Sequence, residues 1–447
     1  MVHDSAIERK LSPSEKLWWV IDQECRSNFV MHSHVTGSIT EDVLRPSLDA
    51  IQARHPLLRV CIKRDGWNSL SFRTNNVPSL PLRVVEGESN SWIEEAEREL
   101  YEGFSVEEGP LARCTLVRHS RQDNTVLLAF HHAIGDGVSG SFLMRDLFQA
   151  AALVSTGKKC GLPTLEAKRE MNAYFPDWAV GLSGRWRSMK FGARMLGAVL
   201  RYGRPAMPLF DLKAPPKERR ARIVAHCLDP DFVDRLNTRA HKEGTTLHGA
   251  MLAAQILAIS HDRGDAKERP YFIGSPVNLR KRLSPPVGED IGFFVTAGAS
   301  INLAKPGTDF WPLAKAVRES LWDCVERGEP FVYVIQHLDL SRITSLLGLG
   351  MLGRRVYARV GASMTFGGLV FSNIGKVDIE NHQGPFTIEN LGFAASISSF
   401  SHFAAYAATI RRKSTWNFIG MEPLFKKEHT QRIAAKALEI LTAAVER

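Results

Sequence analysis

Thr125 to Gly140 reads TVLLAFHHAIGDGVSG: an apolar run that ends on two histidines and an Asp-Gly turn. The run from Thr125 to Phe130 is short and rich in β-branched and aromatic residues, which predicts a strand. Successive strand residues project to opposite faces, so His131 and His132 cannot both enter one cleft; one is expected to be the base and the other structural. Asp136 follows His132 by four residues on a turn where Gly135 and Gly137 relax the backbone, so its carboxylate can fold back under the histidine or lock the loop. An imidazole can take a proton from a hydroxyl or amine attacking a carbonyl and pass it to a leaving thiolate near neutral pH. That chemistry is acyl transfer. Taken alone, two adjacent histidines also fit a packed, hydrogen-bonded pair. A metal site would need them to converge beside a further His or Cys cluster, and none stands nearby.

Ahead of this stretch, Ser12 or Ser14 can cap a helix over Leu11 to Gln23, with Leu17, Trp18 and Ile21 on one side. A second helix is expected from Thr40 to His55, stopped by Pro56. Strands are predicted at Leu58 to Ile62, Ser69 to Arg73, Leu82 to Val85 and Ala112 to Arg118, with a helix near Trp92 to Tyr101. The second half repeats the make-up. Arg222 to Leu228 reads as a strand, a helix starts at Pro230, and Gly244-Thr245-Thr246 caps an apolar helix up to Ser260. Further strands are expected at Tyr271 to Val277, Phe293 to Ile301, Gly368 to Ser372, Phe386 to Leu391, Ala395 to Phe400, Phe403 to Ile410 and Thr415 to Met421, before a closing helix from Glu428 to Glu446. The fold class is α/β or α+β, with subdomains over 1–175 and 222–447 and a connection over 176–221.

The 447 residues are 44% hydrophobic, enough to fill a core in each half. The opening MVHDSAIERK is charged where a signal peptide needs an apolar stretch, and no apolar run reaches the ~18 residues of a spanning helix. A cytoplasmic protein is expected, its six scattered cysteines being free thiols. The net charge of +9 is local: eleven Lys or Arg between Arg185 and Arg222 face only Asp211 and Glu218. There Trp178, Leu182, Trp186, Met189, Phe191, Met195, Leu196, Val199 and Leu200 alternate with the bases and suit one or two amphipathic helices. The plain reading is a solvated helix packed on the body. The sharper ones are a contact with an anionic membrane surface or with an acidic partner, an acyl carrier protein being the natural candidate. No recognition motif accompanies the charge, so nucleic-acid binding is not expected.

His131-His132-Ala133-Ile134-Gly135-Asp136-Gly137 resembles the HHxxxDG pattern of the superfamily of chloramphenicol acetyltransferase, peptide-synthetase condensation domains and polyketide-associated acyltransferases. Arg54-His55-Pro56-Leu57-Leu58-Arg59, Pro276-Val277-Asn278-Leu279-Arg280-Lys281-Arg282 and Phe371-Ser372-Asn373-Ile374-Gly375 resemble further segments of these proteins, in their order. The resemblance implies two chloramphenicol-acetyltransferase-like subdomains in a V, with the active site in a channel between them. It makes His132 the general base and Asp136 a structural carboxylate paired with an arginine of the second half, Arg280 ahead of Arg282. His131 and Gly137 would support the loop, Gly137 by letting backbone approach the channel or as an ordinary turn glycine. Ser372 and Asn373 are candidates for oxyanion or substrate contacts, or turn residues. The implied reaction is direct transfer from acyl-CoA or acyl-phosphopantetheine on a carrier protein to an alcohol, with no metal and no other cofactor. Amide formation on an amine is the alternative within enzymes, and a non-catalytic, partner-recruiting domain the alternative outside them. Without a carrier-protein serine motif or an adenylation-type segment, the chain is expected to act as a free-standing enzyme. A DFGWG segment is also missing, which argues against the plant acyltransferases of the superfamily.

Overall fold

The computed structural model describes residues 7–74, 76–344, 348, 350, 352–356, 368–380, 382–396 and 402–446. Two large sheets carry the architecture. In the first, the strand Asp123–His131 runs antiparallel between Asn28–Gly37 and Ala112–Arg118, and Leu82–Glu86 extends the edge in parallel. In the second, the order is Val295–Ala304, Arg269–Asn278, Leu369–Val377, Phe403–Ile410, Lys413–Glu422 and Arg220–Leu228, parallel on both sides of Leu369–Val377 and antiparallel elsewhere. A small three-stranded sheet joins Glu8–Lys10, Leu70–Arg73 and Cys61–Arg64.

The halves are interlocked. Phe386–Ile388 and Gly392–Ala395, late in the chain, pair antiparallel with Asn28–Gly37 and complete the first sheet. Residues 29–33 of that strand are buried, and the two faces meet different helices. Met31 lies under Gly140 of the helix Gly137–Ser155, where an added Cβ would come 2.6 Å from its sulfur. His32 stacks on Trp92 of the helix Ser91–Tyr101, at 4.3 Å between ring centroids. Alternation along the strand thus places the two helices on opposite faces. The helix Leu247–Asp262 is buried along almost its whole length and packs between Phe310–Glu326 and Lys427–Glu446. Thr246 caps it by accepting from the Gly249 N–H at 3.1 Å.

Most expected elements lie within a few residues of their observed bounds. Over the range expected as the strand Leu58 to Ile62, Pro56–Arg59 is a 3-10 turn and the strand is Cys61–Arg64, since Pro at the first helical position favours a turn. The strand Asn28–Gly37 and the helices Gly137–Ser155, Phe310–Glu326 and Glu329–Thr344 were not expected. Residues 397–400 of the strand expected at Ala395 to Phe400 lie outside the described residues. Among the described residues no helix is long and apolar enough to cross a membrane, and no group of three or more His, Cys, Asp or Glu could hold a metal ion.

The closing helix is tied down through His429, whose Nδ1 is 3.0 Å from Asp211 Oδ2 and whose Nε2 is 2.7 Å from Asp262 Oδ2. The Asp262 hydrogen bond outweighs burial and, with Asp211, raises the imidazole above its ordinary value. A raised histidine contributes stability that is complete below its unfolded pKa of about 6.5 and lost as pH climbs through the folded value. His429→Gln is therefore expected to lower Tm most near pH 6, by about 2 °C, and to flatten the fall in Tm from pH 6 to pH 9. Thermal melts of the two proteins that run parallel across this window would refute the assignment.

Candidate active site

His132 sits where the Asp123–His131 strand ends and the chain turns toward the helix Gly137–Ser155. Its own N–H donates to the Ser27 carbonyl at 3.2 Å, which holds the turn against the chain entering the neighbouring strand. The ring Nδ1 lies 2.8 Å from the Gly135 carbonyl oxygen. A carbonyl only accepts, so Nδ1 carries the proton and Nε2 keeps its lone pair. Trp18 of the helix Pro13–Glu24 stacks on the imidazole at 4.0 Å and 20°, with the Phe29 and Phe293 rings edge-on at 5.4 and 5.5 Å. Burial among these rings pushes the His132 pKa down to about 4, against the Gly135 carbonyl and the Asp136 charge, which act upward.

His131 points the other way. Its Nδ1 accepts from the Ala133 N–H at 3.1 Å, and Nε2 faces Asp22 Oδ2 at 3.9 Å. Burial lowers its pKa as well, despite Asp22. Trp18 and Asp22, four residues apart on one helix, thus attend the two histidines separately.

Asp136 caps the helix Gly137–Ser155, accepting from the Ser139 N–H at 2.8 Å. Arg280 Nη1 donates to both its oxygens at 3.1 and 2.9 Å, and the Phe294 N–H adds a bond at 3.0 Å. Burial alone would raise the carboxyl, but the Arg280 charge and these hydrogen bonds hold it below the usual carboxylate range. Arg280 is 3% exposed and its guanidinium lies 4.9 Å over the Phe294 ring, whereas Arg282 is exposed at the surface. Ser139, which the sequence reading missed, joins the pair: its hydroxyl accepts from Arg280 Nη2 at 2.8 Å and the Gly292 N–H at 3.1 Å. It shares its single proton between Asp136 Oδ1 and the Gly292 carbonyl. Its position three residues after the capping aspartate is the signal that could have found it. Midway along the same helix, Arg54 Nε and His55 Nε2 both bond Asp146, at 2.6 and 2.9 Å.

His132 opens onto a cavity of about 270 Å³ between the lobes, lined by Leu17, Trp18 and Phe29 from the first half and by Phe293, Val295 and Leu369 from the second. Ser372 and Asn373 also line it, from the strand Leu369–Val377. The Asn373 side-chain oxygen accepts from the Gly375 N–H at 2.7 Å, leaving its amide nitrogen as the donor, and the pairing register slips after Asn373, a bulge beside the cavity. Gly137 is a steric requirement: a Cβ there would come 2.8 Å from Ile374 Cγ2.

Residues 20–351, well over half the chain, match the family described as Condensation domain. Among curated relatives, phosphinothricin tripeptide synthetase PhsC of Streptomyces viridochromogenes is 27% identical over 68% of this chain. Bacitracin synthase 2 of Bacillus licheniformis is 25% identical over 64%. The chain spans only 28% and 11% of the length of these two relatives. Among solved structures, the first condensation domain of the CDA synthetase superposes with TM-score 0.71 at 13% identity, covering 98% of this chain and 96% of that one. Polyketide synthase associated protein 5 from Mycobacterium tuberculosis does so with TM-score 0.69 at 18% identity, covering 98% of each.

Replacing Arg280 by Met strands the buried Asp136 charge and is expected to cost about 3–5 kcal/mol in urea unfolding, while Asp136→Asn combined with Arg280→Met costs less than the two singles added. Additive losses would show that the two residues do not act as a pair.

Proposed function

The chain belongs to the condensation-domain family, and we propose that it transfers an acyl group from a thioester of CoA or carrier-borne phosphopantetheine to a hydroxyl group, with His132 as general base. The observation that carries this reading is the His132 tautomer: Nδ1–H is spent on the Gly135 carbonyl, so Nε2 is a lone pair beside an apolar cavity. The acceptor O–H gives its proton to Nε2 as its oxygen attacks the thioester carbonyl, forming the new C–O bond. When the tetrahedral adduct collapses, the C–S bond breaks and His132 returns the proton to the departing thiolate. No acyl-enzyme is needed. Asp136 acts through the loop and Arg280, as a positioning residue. Ser372 Oγ and the Asn373 amide, which line the cavity, are the donors assigned to the oxyanion.

Amide formation is the second reading, favoured by the relative that is named a tripeptide synthetase. An amine acceptor uses the same base, so the acceptor panel separates the two.

The test is thiol release from acyl-CoAs and acyl-pantetheines with alcohols and amines in turn. His132→Ala is expected to lower acceptor-dependent release by about 10²–10⁴-fold, and Ser372→Ala by about 10²-fold if its hydroxyl meets the oxyanion. Because His132 loses its lone pair only as pH falls through about 4, the acid limb of kcat/KM is expected well below the ordinary histidine value. Wild-type release that ignores the acceptor, or that survives loss of the imidazole, would overturn the mechanism.

A further inference from the structure

The helix Gly181–Tyr202 packs on the body through Gly184, Phe191 and Met195, with Phe191 edge-on to Tyr333 at 5.3 Å between centroids. The opposite face looks outward and is apolar throughout. Leu182, Trp186, Met189, Ala193, Leu196 and Leu200 recur in alternating steps of four and three, the spacing of one helical stripe. All six are exposed, Leu182 at 86% and Leu200 at 77%. A soluble surface helix normally turns such a stripe inward; here both faces are apolar and only one is covered.

Charge identifies what the outer face fits. From residue 178 to 210 the sequence holds six bases and no Asp or Glu. The bases border the stripe: Arg185 on one side, Lys190 and Arg201 on the other, with Lys190 Nζ 5.4 Å above the Trp186 ring, while Arg194 turns to Glu329 of the body. A second copy of this chain would set these charges against their own kind. A stripe about 27 Å long on a helix of 22 residues, flanked by bases and anchored by a tryptophan, is the chemistry of a helix lying in the interface of an anionic bilayer.

We propose that the outward face of Gly181–Tyr202 docks this protein on anionic lipid surfaces. The bases draw the helix to the headgroups, and Leu182, Trp186, Met189, Leu196 and Leu200 enter the acyl boundary. Tyr333 also lines the central cavity, so docking sets that cavity one side-chain layer behind the lipid-facing helix. The proposal does not depend on the reaction catalysed.

Flotation of the full chain with phosphatidylcholine vesicles, with and without phosphatidylglycerol, tests it. The wild type is expected to float with anionic vesicles at least ~10-fold more than with neutral ones, less so at high salt. The triple variant Trp186→Ser, Leu196→Ser, Leu200→Ser alters only exposed side chains and should lose flotation by ~10-fold or more, with its circular dichroism unchanged. Lys190→Gln with Arg201→Gln should reduce the anionic preference. A wild type that stays in the soluble fraction, or a triple variant that floats equally well, would overturn the proposal. So would the two occupants that compete for the face. One is an acidic acyl carrier protein whose binding the triple variant loses while vesicles capture nothing; the other is a wild-type dimer by light scattering that the triple variant dissolves.

Discussion

The interaction on which the site depends is the buried pair of Asp136 and Arg280. A carboxylate with no access to water is unfavourable by several kcal/mol unless matched in charge and hydrogen bonds. Here Arg280, the Ser139 backbone and hydroxyl, and the Phe294 N–H supply the match. Asp136 belongs to the first half and Arg280 to the second, so satisfying one charge also fixes the register of the two lobes. The loop from His132 to Asp136 hangs between that anchor and the strand behind it. Glu289 adds an outer link, accepting from Arg145 at 2.7 Å through each of its oxygens.

The surroundings of His132 serve a different requirement. A base must be unprotonated before it can act, and three aromatic rings achieve this by withholding water from the charged form. The same burial weakens the base, since a histidine near 4 holds a proton loosely. In the proposed reaction the loss suits a relay: the proton would stay on the ring only between leaving the acceptor and reaching the thiolate. Asp136 sits close enough to favour the protonated ring electrostatically, yet its oxygens are taken up by Arg280, Ser139 and Phe294. It therefore stabilises the charge without taking the proton.

Legibility followed the range of the interactions. Local chemistry could be read: Ser12 caps its helix through a reciprocal bond with Glu15, Thr246 caps its own, and the apolar run before His131 is a strand buried on both faces. Opposed directions for His131 and His132 follow from strand geometry alone. The pairing of Asp136 with Arg280 was legible only through the motif, since 144 residues separate the two. Asn28–Gly37 escaped notice because its polar residues His32, Ser33, His34 and Thr36 look exposed until Trp92, Asn390 and Asn417 supply partners from elsewhere. Trp18 read as a core residue of an amphipathic helix; nothing local says that it stacks on an imidazole more than a hundred residues away. The apolar positions of Gly181–Tyr202 were visible, but which of them face outward is a property of the packed helix.

The late strands Phe386–Ile388 and Gly392–Ala395 bear on how the molecule comes into being. Once Asn28–Gly37 has left the ribosome, one of its edges has no partner until residues some 350 positions later have emerged. The first lobe therefore cannot close while the second is still being synthesised, and a bare strand edge is on offer throughout translation. Closure of so long a loop carries an entropic cost that grows only logarithmically with length, so the finished sheet is not much penalised, but its arrival is slow. Truncation upstream of residue 386 would leave a first lobe that is complete in its helices and open along one edge, prone to pair with any strand it meets.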